Sequence, residues 1–419
     1  MGSLVIQGAY PLKGQVRVSG SKNAALPIMA ACLMCPGEVH LSGVPDLEDV
    51  TVMAEVLRLL GAQVKREADK LIIDARDVNA VELPERISRK MRASNLVMGP
   101  LLSRFKNARV AYPGGCAIGS RPMDLHLKGF RDLGYNISEE FGFMEGKGAA
   151  AAGKEILLDI PSVGATENIM MAAVSAPGQT VIRNAAREPE IIDLQNFLNR
   201  MGAKVRGAGL DTIRVEGVNR LHGVDYKIIP DRIEAGTFMV AAAIGRGDVF
   251  VENVIIEHLQ PIILKLREMG IDILAYQTGV RVAGKNALSP IDLKTMPYPG
   301  FPTDMQAQMM SLLATVPGTS MIVETIFENR FMHVQELRRM GAQIKIEGRA
   351  AIIKGKNHLE GAVVETTDLR AGAALIIAGL YAEGETEICR IDHIDRGYEN
   401  IHLKLQGIGA RIERRDDLN

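Results

Sequence analysis

Tryptophan is absent from this 419-residue chain, aromatic residues make up only 4%, and cysteine occurs four times. So few rings leave little on which to stack single-stranded nucleic acid. The charges are balanced, 49 Lys plus Arg against 50 Asp plus Glu, so no basic excess exists to hold a phosphate backbone. Cys32, Cys35, Cys116 and Cys389 are too few to staple a chain of this length, which points to a reducing, cytoplasmic setting. Apolar runs such as Ala371 to Ala382 stop short of the ~18 residues that span a bilayer, so no membrane association is expected. The N-terminus lacks a basic stretch followed by an apolar one, and no secretory signal is expected. Cys32 and Cys35 form a C-x-x-C with no second pair or His cluster to complete a zinc site. They end an apolar helical run, where core packing is the expected role.

The remaining composition, 47% apolar and 24% charged, is that of a globular protein, and the length suggests two or three domains. A helix ending in a Leu/Met/Ile-Gly step recurs at Gly61, Gly134, Gly202, Gly270, Gly341 and Gly409, roughly every 70 residues. Glycine suits the left-handed position that ends a helix before the chain turns into a strand. A second helix holds a fixed place in each copy, starting near Lys22, Arg92, Thr166, Glu234, Asp304 and Arg370. Segments such as Asn23 to Met34 and Ala371 to Leu380 are Ala-rich and apolar nearly all round, so they should be buried. Alternating runs such as Asp248 to Asn253 and Thr386 to Arg390 should be strands with one buried face. Helices inside and half-exposed strands outside invert the usual α/β layering.

The last copy stops short after Gly409, while Leu4 to Gln7 and Gln15 to Val18 are strand-like with no helix before them. An N-terminal hairpin completing the sixth copy is therefore expected. The resulting fold class is α/β, with two inside-out domains of three copies each. Residues 22–229 form the first, carrying the Cys116 loop, and 1–21 with 230–419 form the second.

Residues that break the shared plan are the candidates for chemistry. Lys22, Arg92 and Arg370 place cations at helix N-termini, where backbone N–H groups already create positive potential. Such cations either pair with carboxylates or await an anion. Asp304, at the equivalent place, is either a cap or a catalytic group. The loop Pro113-Gly-Gly-Cys116-Ala-Ile-Gly-Ser-Arg121-Pro122-Met123-Asp124 has three glycines, which suits a lid, and Arg121 near Cys116 favours its thiolate. A free surface thiol is the bland alternative.

Several motifs together resemble the UDP-N-acetylglucosamine 1-carboxyvinyltransferases of the enolpyruvyl transferase family. They are Ser-Gly-Ser-Lys22-Asn23-Ala-Ala-Leu, the Cys116 loop, Pro-Thr-Asp304-Met-Gln-Ala-Gln, Phe-Glu-Asn-Arg330-Phe, Asp-Leu-Arg370-Ala-Gly and Ile-Asp-Arg396-Gly-Tyr-Glu-Asn. The similarity keeps their order from Leu4 to Ile412. It implies two inside-out domains with the active site in the cleft between them. It also implies transfer of the enolpyruvyl group of phosphoenolpyruvate to the 3′-hydroxyl of UDP-N-acetylglucosamine, the first committed step of peptidoglycan precursor synthesis. By resemblance, Lys22 and Asn23 hold phosphoenolpyruvate, Arg121 and Arg396 its phosphate, and Arg370 its carboxylate. Arg92, the run Arg121, Pro122, Met123, Asp124 and Leu125, together with Asp304, Ile326 and Arg330, belong to the substrate-binding set. Ser162-Val163-Gly164 is similar to a further nucleotide-contacting segment. Cys116 is the expected general acid, Asp304 takes or orients the hydroxyl proton, and Lys22 and Arg396 complete the catalytic group. No metal or organic cofactor is implied, a monomer is expected, and Cys116 implies sensitivity to the epoxide fosfomycin.

Two other readings remain at this point. A 3-phosphoshikimate 1-carboxyvinyltransferase would share the fold, but Asn23 stands where a Ser after Lys22 is expected, and it would lack the Gly-Gly-Cys lid. A non-catalytic paralogue that binds the UDP-sugar to regulate a partner would have no need of Cys116 together with Asp304.

Overall fold

The computed structural model describes residues 2–67, 70–114, 118–119, 123–284 and 287–416. The chain divides into two compact units. One comprises Gly20–Cys116 and Arg121–Ile229, the other Met1–Ser19, Ala117–Ser120 and Pro230–Asn419.

In the first unit, the six longer helices among the described residues alternate between inner and outer positions. They are α1 (Lys22–Ala31), α2 (Glu48–Leu59), α3 (Met98–Phe105), α4 (Asp124–Asp132), α5 (Val163–Ala173) and α6 (Pro189–Arg200). The inner helices α1 and α5 are rich in small residues and buried along most of their length, and α3 is buried from Met98 to Ser103. At Gly99 the backbones of α3 and α5 approach closely. A Cβ on Gly99 of α3 would stand 2.4 Å from the Asn168 carbonyl oxygen of α5. The outer helices are amphipathic: α2 buries Val50, Met53, Val56 and Leu57 and exposes Leu59.

Each inner helix feeds a four-stranded sheet. Glu38–Ser42 pairs antiparallel with Lys70–Asp74 and parallel with Asp225–Lys227, and Gln63–Glu67 borders Lys70–Asp74. The same order recurs around Asn107–Ala111 and around Gln179–Arg183. Val39 and Leu41 face the core while their neighbours do not, the period-two pattern of a half-buried strand.

The second unit repeats the plan with α7 (Arg232–Ile244), α8 (Ile256–Glu268), α9 (Gln306–Ala314), α10 (Val334–Arg339), α11 (Leu369–Tyr381) and α12 (Ile401–Gly407). Here α7, α9 and α11 are the buried trio. The expected layering, helices within and strands without, is therefore what both units adopt. All six repeat glycines take positive φ, from +89° at Gly341 to +104° at Gly202, as the turn from helix to strand requires.

The N-terminal strands depart from the expected hairpin. Ser3–Gln7 and Lys13–Arg17 do not pair with each other. Ser3–Gln7 lies between Glu385–Cys389 and Arg411–Arg415 as a central strand of the sixth sheet. Lys13–Arg17 runs parallel to Asp248–Glu252 at the edge of the fourth. The reason is the plan itself: each copy supplies a central strand to its own sheet and a parallel edge strand to another. The N-terminal segment fills one vacancy of each kind. Among the described residues no helix is long and apolar enough to cross a membrane.

Candidate active site

In the second unit the site is built on the N-terminal ends of the buried helices. Asp304 lies in the 3₁₀ turn Thr303–Met305 that leads into α9. Its Oδ1 accepts from Arg330 Nη2 at 2.9 Å and its Oδ2 from Arg370 Nη2 at 2.8 Å. Both arginine side chains are almost wholly buried, 3% and 5% exposed, against 25% for the Asp304 side chain. A carboxylate held from both oxygens by two desolvated guanidinia is fixed in orientation. Burial, the largest single influence, would lower the Arg370 pKa, but the charge and hydrogen bond of Asp304 together with Tyr398 and Asp231 raise it on balance, so Arg370 stays protonated.

Arg370 is itself positioned twice. Asp368 caps α11 by accepting from the Arg370 and Ala371 amides at 2.8 and 3.1 Å. The guanidinium Nη1 donates to Tyr398 Oη at 3.1 Å, and that hydroxyl meets Thr237 Oγ1 of α7 at 2.9 Å. Gln308 of α9 donates to Tyr398 Oη at 3.3 Å and to the Asp304 carbonyl at 2.9 Å. One phenol thus joins all three inner helices beside the arginine. Two of the five guanidinium N–H groups are spent in these contacts, which leaves others for a ligand carboxylate.

Ile326 follows the strand Gly318–Val323. Its amide donates to Glu324 Oε1 at 2.8 Å, so a backbone contact to a ligand must come from its carbonyl oxygen. Arg396 is half-buried, at the C-terminal end of the turn Asp392–Asp395. At the N-terminus of α7, Asp231 caps the helix, and Glu234 accepts from the Ser19 amide at 3.0 Å and Lys404 Nζ at 2.5 Å. Burial pushes the Glu234 pKa to about 7 despite Lys404.

In the first unit, Lys22 opens α1 and its Nζ lies 3.1 Å from Asp49 Oδ2. Asn23 beside it is half-buried, as is Arg92 at the start of the 3₁₀ turn Arg92–Val97 that leads into α3. Met123 is buried and accepts from Asn95 Nδ2 at 3.0 Å, whereas Asp124 in the first turn of α4 is exposed and Leu125 half-buried. Ser162 caps α5 on the Ala165 amide. A Cβ at Gly164 would meet His126 Cε1 at 3.2 Å, so Gly164 keeps that ring close to the helix end. Cys116, Arg121 and Pro122 lie outside the described residues.

His126 has a larger role than its isolated place in the sequence suggests. Its Nδ1 lies 3.0 Å from Asn168 Nδ2, an amide that also bonds the Asn95 carbonyl and the Gly99 amide. Burial first, and then the positive charge of Arg92, lower its pKa to about 3, so the imidazole is neutral. With Asn168 donating to Nδ1, the proton sits on Nε2. Nothing in a single sequence pairs positions 126 and 168. The apolar flanks Leu125 and Leu127 and the helix periodicity were the only hint that 126 faces inward.

The helix-end cations therefore carry carboxylate partners in the chain as it stands, Asp49 for Lys22 and Asp304 for Arg370. Pairing also preorganises them, since neither side chain must be ordered when a second anion arrives.

The chain matches the family described as EPSP synthase (3-phosphoshikimate 1-carboxyvinyltransferase) over residues 6–405. It is 57% identical over 411 residues to UDP-N-acetylglucosamine 1-carboxyvinyltransferase 1 of Caldanaerobacter subterraneus subsp. tengcongensis, covering 98% of this chain and 99% of that one. It is also 57% identical over its full length to UDP-N-acetylglucosamine 1-carboxyvinyltransferase 2 of Carboxydothermus hydrogenoformans. Among solved structures, the enolpyruvyl transferase NikO of Streptomyces tendae is similar with a TM-score of 0.89 at 24% identity, over 100% of this chain and 99% of that one. The EPSP synthase of Acinetobacter baumannii is similar with a TM-score of 0.78 at 20% identity, over 99% and 100%. At such identities the structures speak for the fold, while end-to-end identity above one half speaks for the branch. The chain belongs to the EPSP synthase family of enolpyruvyl transferases and, within it, to the UDP-N-acetylglucosamine 1-carboxyvinyltransferases.

Proposed function

We propose that this chain transfers the enolpyruvyl group of phosphoenolpyruvate to the 3′-hydroxyl of UDP-N-acetylglucosamine with release of phosphate, as a cytoplasmic monomer serving peptidoglycan precursor synthesis. The observation that carries the reading is the Asp304 carboxylate clamped between buried Arg330 and Arg370 in a chain 57% identical end to end to enzymes of that name.

In the first step the Cys116 thiol gives its proton to the methylene carbon of phosphoenolpyruvate. The 3′-oxygen forms a bond to the neighbouring carbon while Asp304 accepts the hydroxyl proton. Because both Asp304 oxygens are held, the acceptor lone pair is aimed without reorganisation. The two guanidinia also neutralise the carboxylate charge, so Asp304 orients the hydroxyl as much as it takes its proton. Arg370 keeps N–H groups free for the phosphoenolpyruvate carboxylate while it holds Asp304, which ties the two substrates to one guanidinium. In the second step the methyl group gives a proton back to the Cys116 thiolate, the carbon–oxygen bond to phosphate breaks with the proton held by Asp304 leaving on the phosphate, and the double bond returns on the sugar ether. Lys22, Arg121 and Arg396 are the cations assigned to the departing phosphate. Arg92 and the run from Arg121 to Leu125, with Ile326, are assigned to the UDP-sugar.

The product identifies the reaction. Nuclear magnetic resonance of the sugar nucleotide after incubation with phosphoenolpyruvate is expected to show one vinyl ether, on the 3′-oxygen. Vinyl signals on another hydroxyl, or none with both substrates present, would contradict the reading. Alkylation by fosfomycin at Cys116, followed by mass, is expected in the same preparation.

A further inference from the structure

Glu324 takes no part in the chemistry above, yet it is 1% exposed and holds more of the site's backbone than any residue already assigned a role. It stands just after the strand Gly318–Val323. Its Oε1 accepts from Thr295 Oγ1 at 2.9 Å, the Ile326 amide at 2.8 Å and the Phe327 amide at 3.2 Å. Its Oε2 accepts from Thr303 Oγ1 at 2.9 Å. Among the described residues it makes no ion pair. A buried carboxylate without a cation is costly, and here four donors offset that cost.

The four donors come from three segments. Thr303 opens the 3₁₀ turn of Asp304, Ile326 and Phe327 form the turn after the strand, and Thr295 lies on a neighbouring segment. Thr295 is bound in turn to Thr325 at both its hydroxyl and its carbonyl. A second path closes the circuit, because the Phe327 ring lies 5.4 Å from the Arg330 guanidinium that holds Asp304.

We propose that Glu324 is a positioning residue for the acceptor sugar, fixing the Asp304 turn and the Ile326 turn at one spacing so that both meet the same sugar ring. The inference rests on the proposed function, since it assigns Asp304 to the sugar hydroxyl and the Ile326 carbonyl to the UDP-sugar. A carboxylate suits this task better than an amide. All four partners donate to Glu324, and a glutamine would turn its NH₂ towards one of them, which a backbone amide cannot accept and a threonine hydroxyl could accept only by reversing its bond.

Steady-state kinetics of Glu324→Gln and Thr303→Val separate this from a merely structural role. Glu324→Gln is expected to raise the KM for UDP-N-acetylglucosamine by on the order of tenfold while the KM for phosphoenolpyruvate stays within about twofold. Thr303→Val, which cuts only the bond to the Asp304 turn, is expected to lower kcat with little change in either KM. Wild-type constants in both variants, or equal rises in both KM values, would overturn the proposal. If Glu324→Gln does not fold, Thr303→Val and Thr295→Val decide it by the same split, Thr295→Val being expected to raise the UDP-sugar KM. A wild-type chain that cannot use UDP-N-acetylglucosamine would sink the functional reading and this one with it. An active wild type with unaltered variants sinks only this one.

Discussion

Asp304 and His126 are both polar groups near buried helix ends, and their surroundings assign them opposite tasks. Asp304 is a quarter exposed and held by two guanidinia, so its side chain faces both the protein and solvent. Replacing it by Asn keeps the size but leaves an NH₂ facing one guanidinium and removes the proton acceptor. Asp304→Asn is expected to lower kcat by about 10²-fold or more, measured as phosphate release at saturating substrates. His126 is fully buried and neutral, with its pKa lowered to about 3 by burial and by Arg92. The unfolded chain binds a proton at His126 below about pH 6.5, whereas the folded chain resists it. The stability it contributes is complete above that pH and is lost as the pH falls towards 3. Denaturant titrations of wild type and His126→Gln should therefore converge on acidification, by roughly 1.4 kcal/mol per pH unit at most. A constant difference from pH 7 to pH 4 would contradict the assigned state. At this scale the sequence is legible where a residue type clashes with its helical position, as Lys22 and Arg370 do at helix N-termini. It is silent on Glu324 and Asn168, whose partners lie in segments brought together only by folding.

The elements carry their own logic. Inner helices are recognisable because Ala-rich runs without a polar face can only be buried, and α5, α7 and α11 have that character over nearly their whole length. The tight spacing of these helices is less visible, because a glycine in a helix reads as a weakness before it reads as a contact. Gly99 is such a contact. Alanine there would place its Cβ 2.4 Å from the Asn168 carbonyl oxygen and 2.9 Å from its Oδ1, and that Oδ1 belongs to the side-chain amide that bonds His126. Gly99→Ala is expected to destabilise the chain by roughly 1–3 kcal/mol despite its better helix propensity, read as a lowered denaturation midpoint. An unchanged or raised midpoint would mean that α3 and α5 separate at little cost.

Across the whole molecule, the six-fold recurrence is legible because the glycine that ends each outer helix must adopt a left-handed conformation, and all six do. The place of the N-terminus is only half legible. Counting residues shows that the sixth copy lacks strands, but two short alternating runs look like a hairpin whenever a few residues separate them. Which sheet each joins depends on vacancies left by copies hundreds of residues away, a non-local fact. The fold alone does not choose the acceptor, since EPSP synthases and the UDP-sugar enzymes share it. Identity along the whole chain makes that choice, and the acceptor experiment tests it most directly. Phosphate release from phosphoenolpyruvate should be measured with UDP-N-acetylglucosamine and, separately, with shikimate 3-phosphate. Release with the UDP-sugar alone, abolished in Cys116→Ala, is the predicted result. Release with shikimate 3-phosphate, or undiminished release in Cys116→Ala, would contradict the account.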